Sequence, residues 1–368
     1  DHRDLHSFPT RRSSDLDASP VAISGVTLNG DATVIQSNGV AGEIGVGAVV
    51  GFWRISNWWH GKASAEEIHI EGSLTINGSS KSTVGGFIGF LSNRNSDNWT
   101  SYDNGANFTA SNIYVGTESG SAVTLNGHQV GGIIGMGMNG QTDDYRYFTF
   151  DRIYIGSSNS TVTITGSCAA ASLIGVLCKC PVVKASNIYL NNNTVSGGSY
   201  TALFVASPDN RTNAVQEINI WNAEAIGCTL SGGSTAAAGK ANPGTGFLYG
   251  SYNNANSQSK GFTMNGYNIL VKNSTISDST NAAIWGGVNK DREPVHLVAV
   301  SAVNCKTPAV DFAAGASDCY AVRADYTGDQ TLTALDACPY VPSNPESPLV
   351  IAGKADLGLQ RRGEGIVV

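Results

Sequence analysis

Asn112-Ile113-Tyr114-Val115 sets one outward residue between two apolar ones, and the same alternation returns along the chain. It reappears as Ile68-His69-Ile70, Ile153-Tyr154-Ile155, Ile188-Tyr189-Leu190, Ile218-Asn219-Ile220, Ile269-Leu270-Val271 and Val298-Ala299-Val300. Period-2 alternation of this kind marks a strand with one buried face. In the early units a second short strand follows: Leu74-Thr75-Ile76, Val123-Thr124-Leu125 and Val162-Thr163-Ile164. A third comes as Val84-Gly85-Gly86-Phe87-Ile88-Gly89, then Val130-Gly131-Gly132-Ile133-Ile134-Gly135, then Ala171-Ser172-Leu173-Ile174-Gly175.

Strand types in a fixed order, returning every ~30 to 50 residues, are the signature of a repeat architecture. One such unit cannot bury its apolar face alone, but stacked units put Ile on Ile and Gly on Gly. The expected fold is all-β: a right-handed parallel β-helix of roughly seven to eight coils, stacked about 4.8 Å apart into a rod near ~35 Å long. Unequal repeat lengths are absorbed by insertions that loop out at the corners. A β-sandwich is the alternative, because short strands with turn signals suit it too.

Composition supports strands. Of 368 residues 14% are charged and 44 are Gly, which disfavours both a disordered polyelectrolyte and a helix bundle. A net charge of -7 provides no basic footprint for nucleic acid or an anionic membrane surface, so neither is an expected partner. No apolar run is long enough for a bilayer-spanning helix, so no membrane span is expected in this stretch.

The V-G-G-[FI]-I-G segments at 84–89 and 130–135, with the N-I-Y-[VL] strands at 112–115 and 187–190, resemble GLUG-type repeats of bacterial surface proteins. They also resemble the wider class of pectate-lyase-like β-helices. The resemblance covers about residues 21–315 and weakens later, where 201–207 and 246–251 keep the apolar strand without paired glycines. It implies a secreted or cell-surface location and a role in display or adhesion, with no catalytic residues carried over. Residues 1–16 (DHRDLHSFPTRRSSDL) lack periodicity and resemble a translated sequencing adapter. On that reading the chain is a metagenomic fragment whose natural N-terminus lies upstream, and the organisation is 1–16 foreign, 17–315 β-helix, 316–368 a C-terminal cap or linker.

Three long insertions follow the third strand of successive units and are expected to share one corner. The first carries Phe52, Trp53, Trp58, Trp59 and His60, the second Asp97, Trp99, Tyr102 and Asp103, the third Asp143, Asp144, Tyr145, Arg146 and Tyr147. Aromatic rings beside carboxylates suit sugars, whose CH faces pack on rings while hydroxyls donate to carboxylates. The same rings could instead fold back as plugs over the stack. A lyase or glycosidase on this scaffold needs paired carboxylates at defined separation, or a base beside carboxylate-bound calcium. Asp143 and Asp144 are adjacent, so on a strand they point to opposite faces.

The seven cysteines show no C-x-x-C spacing, so a zinc ribbon is not indicated. Ladder packing as small apolar residues is the simpler expectation, with a Cys305–Cys319 bridge open to an extracellular protein. Near the C-terminus Asp325, Asp329 and Asp336 occupy positions 1, 5 and 12 of a calcium-loop spacing, faintly similar to a dockerin or EF-hand loop. Gln330 stands where such loops place Gly, and the Pro-rich stretch at 338–348 cannot supply a flanking helix. No other cofactor is expected. The reading as a whole is an extracellular adhesion or display protein that contacts a glycan or a cell-surface protein through its corner loops. A polysaccharide-degrading enzyme and a purely structural stalk are the alternatives.

Overall fold

In the computed structural model, the described residues are 21–35, 44–55, 62–92, 107–138, 147–178, 182–209, 216–232, 244–250, 262–277, 283–286 and 295–306, with short strands beyond. All regular structure among them is β. Three sheets carry the fold. Eight long strands form the first in chain order: Val21–Asn29, Lys62–Glu71, Asn107–Val115, Tyr147–Ile155, Val182–Asn191, Gln216–Ile226, Phe262–Lys272 and Val295–Cys305. Each pairs in parallel with the next. The second sheet stacks Ala32–Ile35, Ser73–Asn77, Ala122–Gly131, Thr161–Ala171, Asn193–Gly197, Thr229–Gly232 and Thr275–Ser277, again in parallel. The third stacks Val50–Arg54, Ile88–Ser92, Ile134–Met138, Ile174–Cys178 and Val205–Asp209. A sandwich is built from antiparallel pairs, whereas every pair named above is parallel.

The first-sheet strands run 9 to 11 residues, longer than the triplets in the sequence, because each contains one left-handed residue. Gly25, Glu67, Asn112, Arg152, Asn187, Asn222, Asn268 and Ala299 all have φ between 53° and 66° and occupy one register position. The left-handed residue resets the alternation: Ala65 is buried, Glu66 and Glu67 both point out, and Ile68 is buried again. Asn is the commonest choice here since it tolerates positive φ best among non-glycines. Its amide can also bond the next rung, as Asn268 Nδ2 does to Asn222 Oδ1 at 2.8 Å.

Inside, the rungs form apolar ladders such as Ile68, Ile113, Ile153 and Ile188, all fully buried. Ladder contacts of this sort provide the main stabilisation, at about 0.8 kcal/mol per buried methylene. The last glycine of the third-strand motif lets two sheets meet backbone to backbone. A Cβ on Gly135 would lie 2.6 Å from both Val84 N and Val84 O. One tight corner depends on a buried carboxylate. Glu71 accepts hydrogen bonds from Thr117 Oγ1 (2.5 Å), Glu118 N (2.9 Å) and Ser121 Oγ (3.0 Å), closing the turn of the next coil.

Parallel pairing does not stop at residue 315: Ala316–Tyr320 and Arg323–Tyr326 both pair with Val295–Cys305. The expected Cys305–Cys319 bridge is not formed. Cys305 is a buried thiol whose Sγ donates to Val271 O at 3.5 Å, and Cys168, Cys178 and Cys228 likewise carry thiols outside any disulfide. Cys178 and Cys228 are packed as small core residues.

Candidate functional site: the outer face of the first sheet and its corner

The third-sheet strands end in register, with Arg54, Ser92, Met138, Cys178 and Asp209 on one level. The first-sheet strands that follow begin in register as well, with Lys62 beside Asn107 and Phe108 beside Phe148. Insertions between them therefore leave and return at one corner of the stack. Trp58, Trp59, His60, Asp97, Trp99, Tyr102, Asp103, Asp143, Asp144 and Tyr145 belong to those insertions and lie outside the described residues.

Two expected site residues are described, and they fare differently. Trp53 does not sit in a surface loop. It pairs in register with Leu91 on the inward side of the third sheet and is only 6% exposed. Its indole meets Phe108 edge-on at 5.6 Å, so strand alternation has turned it into core. Tyr147 is half-buried at the corner itself, where Lys184 Nζ lies 4.8 Å from its ring centroid. The backbone N–H of Tyr147 donates to Asn107 Oδ1, tying two coils together at that corner. Phe52 is exposed and tilts against Phe90 at 5.1 Å.

Beyond the corner the middle residues of four I-x-I triplets line up, whereas Asn219 and Ala299 fall at other register positions and Asn219 and Leu270, expected to face outward, are buried. His69, Tyr114, Tyr154 and Tyr189 form a continuous stack, with centroid separations of 4.4, 4.8 and 5.0 Å and planes within 8° of parallel. Tyr189, at the end of the stack, is 40% exposed. Neighbouring rings cover each other's faces, so the stack offers ring edges and phenol hydroxyls along its length and an uncovered ring face only at its ends. Burial raises the Tyr154 phenol above its ordinary value, reinforced by the flanking phenols of Tyr114 and Tyr189. The sequence shows an outward aromatic in successive triplets, and the stacking of coils brings those rings together.

A polar ladder runs beside the rings. Arg152 Nε donates to Asn112 Oδ1 at 2.6 Å, and its guanidinium also pairs with Asp151. Asp151 Oδ1 accepts from Ser186 Oγ at 2.7 Å and Asn187 Nδ2 at 2.6 Å. That carboxylate is fully engaged in holding rungs together, the opposite of a carboxylate poised for proton transfer.

No family model, curated protein or solved structure matches this chain. Among the described residues no cluster of three or more His, Cys, Asp or Glu could hold a metal ion. Of the expected calcium loop, Asp325 lies on a strand paired antiparallel with Thr331–Leu332, and Asp329 and Asp336 lie outside the described residues. No described helix is long and apolar enough to cross a membrane.

Proposed function

We propose that this chain is a right-handed parallel β-helix from a secreted or cell-surface bacterial protein, and that it acts in adhesion and display. The partner is an extended glycan or a cell-surface protein, engaged along the corner where the insertions arise. The observation that carries this reading is the shared corner: the strand ends that bracket successive insertions are in register, next to an aromatic stack that runs along the rod axis. Contacts repeated along one axis suit an extended partner, since each added rung raises avidity without any single contact being strong.

A ligand-free stalk is the second reading, and the burial of Trp53 favours it, because one of the expected binding rings serves the core. Binding of the full chain to immobilised pectin, mannan and mucin glycans separates the two. For the adhesive reading, Trp58→Ala with Trp59→Ala and Trp99→Ala abolishes binding while the melting temperature stays nearly constant. A large fall in melting temperature, with no glycan bound by the unaltered chain, supports the stalk.

A further inference from the structure

The outer face of the second sheet carries an unbroken row of one residue type. Thr33, Thr75, Thr124, Thr163, Thr194, Thr229 and Thr275 occupy a single register position on seven consecutive strands. All seven are half-exposed or exposed. Two residues further along each strand runs a second row, Ile35, Asn77, Asn126, Thr165, Ser196, Ser231 and Ser277. Neither row contains a charged or aromatic side chain. Strand preference alone does not explain this uniformity. The outward row of the first sheet has the same geometry and holds His69, Tyr114, Tyr154, Tyr189, Glu224, Leu270 and Ser301.

The threonine hydroxyls are also unused. Among the described residues none of the seven finds a hydrogen-bond partner within the protein. Threonine is stiff about χ1, so each rung presents a methyl and a hydroxyl at a fixed place and loses little rotamer freedom on binding. The threonine row is thus regular at ~4.8 Å between rungs, and the second row, ~6.7 Å away, adds Ser and Thr hydroxyls on its later rungs while its first three hold Ile35 and the bonded amides of Asn77 and Asn126. These spacings lie near the repeats of water oxygens on the faces of hexagonal ice. A charged face would hold disordered, strongly bound water, and a polysaccharide face would call for flat rings. This one has neither.

We propose that the threonine face binds ice, by ordering water over its net of methyls and hydroxyls into a layer that merges with the crystal lattice. The face is distinct from the corner and the aromatic stack, so this assignment stands or falls independently of the adhesive role.

The test is partition of the full chain into slowly growing ice, scored beside inhibition of ice recrystallisation. The unaltered chain is expected to enrich in the ice. Thr124→Tyr with Thr163→Tyr keeps strand preference but drives two rings through the net, and it is expected to lose both activities. Glu66→Gln, exposed on the first sheet, retains them. Circular dichroism and melting temperature verify the fold. Should the Tyr pair fail to fold, Thr124→Ser with Thr163→Ser removes two methyls and frees χ1, with reduced partition expected. The proposal is overturned if the unaltered chain stays in the liquid like a non-binding protein. It is equally overturned if folded threonine variants enter ice as well as the unaltered chain, or if the chain sediments with crystalline cellulose while being excluded from ice.

Discussion

Tyr154 stacks on Tyr114 with ring centroids 4.8 Å apart and planes 3° from parallel. That distance is the spacing of neighbouring strands. The strand ladder therefore sets the ring separation, and the rings in turn clamp the register of the coils that carry them.

Tyr154 touches a ring on either side, so Tyr154→Ala breaks two stacking contacts in the middle of the row. At ~0.5 to 1.5 kcal/mol for each aromatic pair, the expected loss is about 1 to 3 kcal/mol in urea unfolding. Tyr154→Phe keeps the rings and should lie within about 0.5 kcal/mol of the unaltered chain. An equal loss for both variants would show that the hydroxyl, not the stack, stabilises the face.

Alkali should weaken the fold. Burial pushes the Cys228 thiol up to about 12 from an ordinary 9.0, and burial also raises the Tyr154 phenol. Both groups are held neutral in the folded chain, whereas the unfolded chain releases their protons at ordinary values. Their contribution is thus complete at neutral pH and is lost as pH climbs from the unfolded value through the raised folded one. Melting temperature should fall from about pH 9 toward pH 12, and Cys228→Ala should make that fall shallower. An unchanged slope in the variant would exclude Cys228 as a contributor.

Ala299 ends the left-handed ladder at φ 53°, and the buried Oδ1 of Asn268 on the rung before it has no partner. An Asn at 299 suits the backbone and brings an amide donor to the position where Asn268 donates to Asn222. Ala299→Asn is expected to stabilise by about 1 kcal/mol, read as a raised urea midpoint.

Removing the acceptor at Glu71 should be costly. Glu71→Ala leaves the Thr117 hydroxyl, the Glu118 amide and the Ser121 hydroxyl without the oxygens they bond. About 2 to 3 kcal/mol of stability is expected to disappear, with hydrogen exchange rising first in the turn at 116–121.

Gly135 has backbone on all sides of its missing side chain. A Cβ there would meet Val84 N, Val84 O and Gly89 O, each at 2.6 Å, and none of these can swing away as a flexible side chain would. The third-sheet register places Ala206 on the same row of the stack, so a methyl can be accommodated at a rung built around it. Gly135→Val is expected to lose about 3 kcal/mol in thermal unfolding, and Gly135→Ala less. Equal melting temperatures for all three proteins would mean that the two sheets separate freely at this arch.

The repeated triplets determined the burial of their flanking apolar residues, though not of the middle residues Asn219 and Leu270, which read as outward and are buried. Ile68, Ile113, Ile153 and Ile188 point inward because strand alternation allows nothing else, and the third-strand glycines mark where two backbones approach. Chain order and period-2 pattern are local properties, so they survive in a sequence read alone. Phase between coils is not local. The left-handed residue that makes both Glu66 and Glu67 face outward breaks the alternation without any apolar signal, and its neighbours across the ladder lie tens of residues away. The same holds for Trp53, which reads as a loop aromatic until pairing with Leu91 turns it inward. Only the stacked structure aligns Thr33 through Thr275 into one row or brings His69, Tyr114, Tyr154 and Tyr189 into contact. Those alignments depend on where insertions of unequal length hand the chain back to the ladder, and hydrogen bonding between coils, not sequence spacing, decides that level.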